Sequence, residues 1–85
     1  MWFTYILLCT DGSYYTGSTN DVEKRFKDHL DGHGARYTKS HKPVKIIYKE
    51  GFTTKSEALK REAELKKWPK AKKVKLVKFK PGNVV

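Results

Sequence analysis

Hydrophobic positions follow two different periods along the chain. Near the N-terminus Phe3, Tyr5 and Leu7 share one face of an extended segment, while Ile6 and Leu8 make the other face apolar too. A strand apolar on both faces belongs in the middle of its sheet. This run, Met1–Cys9, leads into Asp11-Gly12, a two-residue hairpin signal. Tyr14–Ser18 supplies a second strand. An antiparallel hairpin of these two strands places Tyr5 near Tyr15.

Beyond residue 20 the spacing changes to three and four. Val22, Phe26 and Leu30 form the apolar stripe of a helix that Asn20 can cap, with Glu23 three residues on as the reciprocal partner. Gly32 and Gly34 end it. Residues 35–43 are polar, basic and loop-like, and Val44–Tyr48 is rich in β-branched side chains, as a third strand requires. Thr54 and Glu57 make a T-x-x-E capping box that opens a helix through about Lys67, with Ala58, Leu59 and Leu65 as its buried stripe. Pro69 interrupts the pattern, and Ala71, Val74 and Val77 suggest a short third helix. The order is ββαβαα, with no internal repeat and no linker. It predicts one α+β domain over residues 1–79, a small three-stranded antiparallel sheet flanked by helices. Residues 80–85, with Pro81 and Gly82, are expected to be a flexible tail.

Length and charge narrow the function. A chain of 85 residues holds one core and leaves no room for a separate recognition module. Nineteen lysines and arginines stand against nine acidic residues, a formal charge of +10. That imbalance favours a polyanionic partner: DNA, RNA or an acidic membrane. The membrane is set aside, because the apolar run Trp2–Cys9 is too short to span and lacks the flanks of a leader. The single Cys9 and three scattered histidines make neither a disulfide nor a zinc site, so a reduced, cytoplasmic protein is the expectation. His29 and His33 are four apart, but Gly32 and Gly34 end the helix that would have to present them together. No serine or cysteine has the context of a nucleophilic triad, and the G-x-x-x-x-G-K phosphate loop is absent.

Three features stand out against this frame. Tyr5 and Tyr15 sit on adjacent strands, and Thr16-Gly17 follows Tyr15. They read either as ordinary strand aromatics or as paired phenols beside a glycine that permits close approach of a ligand. A phenol is a poor base until a nearby cation lowers its pKa. Arg25 supplies such a cation at the edge of the first helix's buried stripe, on the same side as Val22 and His29; its plain alternative is a stem lying on the core with its head in water. Glu62 falls between Ala58, Leu59 and Leu65, on the apolar face of the second long helix. A carboxylate there is costly unless it is ion-paired or bound to a metal.

Together these residues resemble the GIY-YIG nuclease family. Its two name-giving tripeptides match Phe3-Thr4-Tyr5 and Tyr15-Thr16-Gly17, its catalytic arginine matches Arg25, a histidine one turn later matches His29, and its metal-binding glutamate matches Glu62. The resemblance runs to about Val77 and is closest to the small single-domain branch, in which Gly34-Ala35-Arg36-Tyr37-Thr38 and Lys60-Arg61-Glu62-Ala63-Glu64-Leu65-Lys66 look like characteristic stretches. Larger members include the nuclease subunit of bacterial excision repair and certain homing endonucleases. Two positions depart: Phe3 replaces the first glycine, and Thr16 stands where isoleucine or valine is usual.

The resemblance implies a metal-dependent endonuclease acting on DNA without sequence specificity or by DNA structure, with a place in repair or recombination. It implies Tyr5 or Tyr15 as the base, Arg25 on the phosphate oxygens, His29 tuning the tyrosine or touching phosphate, and Glu62 holding one Mg²⁺ or Mn²⁺. Gly17, Arg36, Tyr37 and Lys66 are the expected substrate contacts. Eleven of the 19 basic residues lie between Lys55 and Lys80, so the later helices are expected to run beside the nucleic acid backbone. The rival readings are a non-catalytic nucleic-acid-binding module on the same fold and a subunit delivered to DNA by a protein partner. Oligomeric state is not legible in the sequence.

Overall fold

The computed structural model describes residues 1–34 and 36–79. The tail expected over 80–85, and Ala35, lie outside the described residues. The elements are β1 (Trp2–Cys9), β2 (Tyr14–Thr19), α1 (Val22–Leu30), α2 (Arg36–Ser40), β3 (Pro43–Phe52), α3 (Lys55–Lys66) and α4 (Lys70–Phe79). The sheet order is β2-β1-β3, antiparallel throughout, so the doubly apolar β1 is the central strand as its pattern requires.

Each face of β1 feeds a different core. Tyr5 and Leu7 pack with Val22 and Phe26 of α1. Ile6, Ile47 and Tyr48 pack against Leu65 of α3, with Trp68, Leu76 and Val77 closing over them. Full burial of side chains such as Ile6, Leu7 and Leu65 contributes roughly 1.5–3 kcal/mol each. Ala58 brings α3 close to the sheet: it is fully buried, and its carbonyl accepts from Thr4 Oγ1 at 2.7 Å and Ser18 Oγ at 3.2 Å. The Thr54–Glu57 capping box forms as its sequence predicts, a device worth about 1 kcal/mol.

Several local expectations change. The cap of α1 is Asp21, not Asn20: Asp21 accepts from Lys24 N at 3.2 Å, while Thr19 Oγ1 accepts from Asp21 N at 3.1 Å and fixes the entry. The β1–β2 connection is a four-residue loop, Thr10–Ser13, rather than a two-residue turn. Gly12 takes the left-handed conformation there (φ 84°), and Asp11 accepts from both the backbone and the hydroxyl of Ser13. Part of the expected loop before β3 is the short helix α2. β3 runs on to Phe52 because β1 offers partners as far as Trp2, so the polar residues Lys49 and Glu50 are drawn into an edge strand. Leu30 and Leu59, assigned to buried stripes, are exposed at 42% and 45%. On α3 the true buried line is Ala58 and Leu65, seven residues apart, with the partly buried Glu62 between them. No helix among the described residues is long and apolar enough to cross a membrane.

Candidate active site

The hairpin register sets Tyr5 opposite Gly17 and Leu7 opposite Tyr15, so Tyr5, Gly17 and Tyr15 share the sheet face covered by α1. The two phenol rings lie 6.3 Å apart, tilted by 48°. Gly17 has a steric reason to be glycine. A Cβ there would stand 2.6 Å from Tyr5 Oη, 2.7 Å from its Cζ and 3.1 Å from Tyr15 Cε2. The room beside Gly17 is therefore filled by Tyr5 rather than left open for substrate, which links the last residue of each tripeptide to the other.

His29, in the last turn of α1, closes the inner layer of the site. Its ring is 1% exposed. Nε2 shares a hydrogen bond of 2.9 Å with Tyr5 Oη, and Nδ1 shares one of 2.7 Å with Thr38 Oγ1 on α2. The rings of Tyr15 and Tyr5 meet it edge-on, with centroids at 5.0 and 6.1 Å. Gly34 passes directly against it: a Cβ at that position would lie 2.1 Å from Nδ1. Burial, and then the positive charge of Arg25, push the imidazole down to a pKa of about 4. Burial and the neighbouring Tyr15 hold the Tyr5 phenol well above its ordinary range, against the pull of Arg25. Both groups are thus neutral at pH 7. Either imidazole tautomer satisfies the Thr38–His29–Tyr5 chain, with every donor pointing one way along it or every donor pointing the other.

The outer layer is half-exposed and charged. Tyr15 is partly accessible. Its pKa is raised, chiefly by burial and also by Glu62, while Lys66 and Arg25 pull it down. Arg25, 34% exposed, comes within 3.9 Å of Asp28. Glu62 is 18% exposed and accepts the ammonium of Lys66 at 2.7 Å. The charges of Arg25 on α1 and of Glu62 and Lys66 on α3 therefore all reach the Tyr15 phenol on β2. Tyr37 stacks on Tyr15 at 5.9 Å and is itself covered by His41 at 4.1 Å, nearly parallel. Arg36 lies exposed at the start of α2, outside this cluster. Thr38, Gly34 and His41 were not singled out for the site from the sequence. Only the Gly34–Thr38 stretch marked two of them, because α2 is too short to leave a periodic signal.

Among the described residues no three His, Cys, Asp or Glu side chains gather into a metal cage. Glu62 is the one carboxylate placed to act on Tyr15. Mg²⁺ keeps much of its water and commonly uses one or two carboxylates plus substrate phosphate. Its donor chemistry therefore fits a lone glutamate of this kind, whose present partner is a displaceable lysine. Both ring nitrogens of His29 are already taken, which leaves it no free donor for an ion.

Comparison with known proteins finds relatives along most of the chain. A family model described as the GIY-YIG catalytic domain matches residues 1–75. A UPF0213 protein of Staphylococcus saprophyticus is 53% identical over 75 residues, covering 88% of this chain and 92% of the relative. A UPF0213 protein of Staphylococcus aureus is 51% identical over 76 residues, covering 89% and 93%. The solution NMR structure of a UPF0213 protein from Bacillus halodurans superposes with a TM-score of 0.61 at 43% identity, covering 96% of this chain and 88% of that one. That of a protein from E. faecalis gives 0.60 at 41%, covering 91% and 82%.

Proposed function

Because the chain belongs to the GIY-YIG catalytic-domain family, a family of nucleases, we propose that it is a metal-dependent endonuclease. It hydrolyses DNA phosphodiester bonds without reading sequence and works in the cytoplasm. The observation that carries this reading is the electrostatic meeting of Tyr15, Arg25 and Glu62 on a half-exposed surface of a chain of net charge +10. A polyanion is drawn to such a surface, and the three residue types are those that phosphoryl transfer uses: a proton acceptor, a guanidinium and a carboxylate.

In this mechanism the scissile phosphate lies over Tyr15, with Arg25 bridging two non-bridging oxygens through its planar fork. Glu62 would hold one Mg²⁺ or Mn²⁺, which would supply Lewis-acid stabilisation of the leaving 3′ oxygen. With Tyr15 in its ionised form, a water hydrogen-bonded to the phenolate attacks phosphorus opposite the leaving oxygen. The phenolate takes that water's proton as the bond from phosphorus to the 3′ oxygen breaks, and the 3′ oxygen is protonated from solvent. Tyr15 suits this role better than Tyr5. It is partly accessible, and the influence that raises its pKa besides burial is the charge of Glu62. Neutralising that charge leaves Lys66 and Arg25 to draw the phenol down toward the ionised form. Tyr5, buried and bonded to His29, keeps its proton and serves as a rigid wall that fixes the Tyr15 ring. Lys66, paired here with Glu62, would be placed to meet a phosphate if an ion took its place on the carboxylate. Tyr37 and Arg36 flank the entry from α2.

The test is nicking of supercoiled plasmid by the purified chain in Mg²⁺, Mn²⁺ or EDTA. Metal-dependent nicking supports the proposal. Binding without cutting in every condition would favour a non-catalytic module or one that requires a protein partner, a reading to which the satisfied Glu62–Lys66 ion pair lends itself.

A further inference from the structure

A cleft of about 290 Å³ opens next to the site, lined by Asp11, Ser13, Tyr14, Tyr37, Lys70 and Lys73. None of its residues other than Tyr37 has a part in the mechanism above. It is formed where the β1–β2 loop, α2 and the start of α4 meet. Lys70 and Lys73 are three apart on α4, so both ammonium groups reach the same hollow. Lys70 is held in place: its ammonium lies 5.0 Å over the Tyr14 ring and donates to the Gly12 carbonyl.

The charge in this cleft is unbalanced. Asp11 is its single carboxylate, and it is engaged by the backbone and hydroxyl of Ser13 at 3.0 and 2.6 Å and by His41 at 3.6 Å. Among the described residues no carboxylate pairs with Lys70 or Lys73. Lys73 is partly buried and its pKa is lowered, by burial and by the nearby charge of Lys66. A lysine confined with a like charge gains from any anion that enters. Tyr14 and Tyr37 also line the cleft, and a phenol is a hydrogen-bond donor suited to phosphate oxygens. The cleft also adjoins the proposed cutting site on two sides, through the Tyr37–Tyr15 stack and through Lys66, which acts on both Tyr15 and Lys73.

We infer that this cleft is a second phosphate subsite, in which Lys70 and Lys73 grip an internal phosphodiester of the same nucleic-acid strand whose neighbouring linkage lies over Tyr15. The inference rests on the nuclease reading for the identity of the strand. It makes α4 a clamp that fixes the register of the backbone, and the pocket selects for phosphate spacing rather than base identity.

The test is binding in EDTA, where nothing is cut, of a fluorescein-labelled oligothymidylate that lacks terminal phosphates, followed by anisotropy across a KCl series. For a single strand the slope of log K against log salt changes by about 0.7 for each phosphate contact. Lys70→Gln/Lys73→Gln in the full chain is expected to lower the slope by about that amount and to weaken binding several-fold. Lys27→Gln/Lys45→Gln removes the same charge from two exposed lysines outside the cleft and outside the later helices and is expected to leave the slope unchanged. Lys73→Arg, which keeps charge and reach, is expected to behave as wild type. Equal losses in the two double variants, or no binding by the wild type, would overturn the subsite. A slope change that appears only with a 5′-phosphorylated oligonucleotide would also overturn it, because the cleft would then read strand ends. Plasmid nicking with no slope change removes the subsite alone, whereas a slope change without nicking removes the nuclease reading alone.

Discussion

Acidification puts a proton on an imidazole that the folded protein keeps dry. His29 is held at a pKa of about 4 in the folded state, against 6.5 for the free side chain. Between those values the unfolded chain binds a proton at position 29 and the folded chain does not, so stability rises with pH across this window. Folding is unpenalised above about pH 6.5 and loses stability as pH falls toward 4, below which both states are protonated. The gap of about 2.5 between the folded and free values corresponds to about 3 kcal/mol. That is a large share of the 5–15 kcal/mol typical of a native domain. Protonation also makes both ring nitrogens donors, so the Thr38 and Tyr5 hydroxyls must both accept from the ring and turn their own protons away from it. Urea unfolding at half-unit steps from pH 7.5 to 4 measures the loss, and His29→Gln, which keeps a polar side chain of similar reach, removes the titration. The carboxylates titrate in both proteins, so the difference between the two curves isolates His29. It should grow by about 3 kcal/mol between pH 7 and 4 in favour of the variant. Parallel curves, or an imidazole titrating near 6.5 by NMR, would refute the buried, neutral histidine.

Three further outcomes follow from the packing. Gly17→Ala drives a methyl into Tyr5 and should cost about 1–3 kcal/mol by chemical denaturation; Tyr5→Phe should relieve only part of that, because the ring carbon Cζ remains in the way. Gly34→Ala should displace the His29 ring, seen as a loss of the protected Thr38 and Tyr5 hydroxyl protons in NMR spectra together with a fall in melting temperature. Glu62→Ala removes an ion pair whose lysine is half exposed, so it should change stability by less than about 1 kcal/mol; a larger loss would mean that Glu62 is a structural residue.

Much of the architecture was legible because it rests on period and caps. The doubly apolar β1 marked the sheet centre, and the T-x-x-E box marked the start of α3. The errors came where neighbours compete at close range. Asn20 and Asp21 are both good caps, and Thr19 decided between them by bonding the Asp21 amide. Leu59 looked like core because it adjoins Ala58, but the helix turns it 100° away from the sheet into solvent. At the site, the sequence drew attention to Tyr5, Tyr15, Arg25, His29 and Glu62, and the fold gathers them into an inner neutral layer and an outer charged one. What it could not convey was the division of labour between the tyrosines. Tyr5 and Tyr15 have equivalent strand positions, and only the packing of α1 and α2 buries one hydroxyl on His29 while leaving the other near Glu62 and Lys66. Thr38, marked only as part of the Gly34–Thr38 stretch, was given no role for a similar reason: its meaning depends on a contact with a residue nine positions earlier.

The most direct test of the central claim compares wild type with Glu62→Ala and Arg25→Ala on supercoiled plasmid and single-stranded DNA, in Mg²⁺, Mn²⁺ and EDTA, with DNA binding measured on the same preparations. The account predicts metal-dependent nicking by wild type and its loss in both variants, each of which still folds and binds DNA. Cutting that survives both substitutions would contradict it, because the cleavage would then come from residues other than these or from a contaminant.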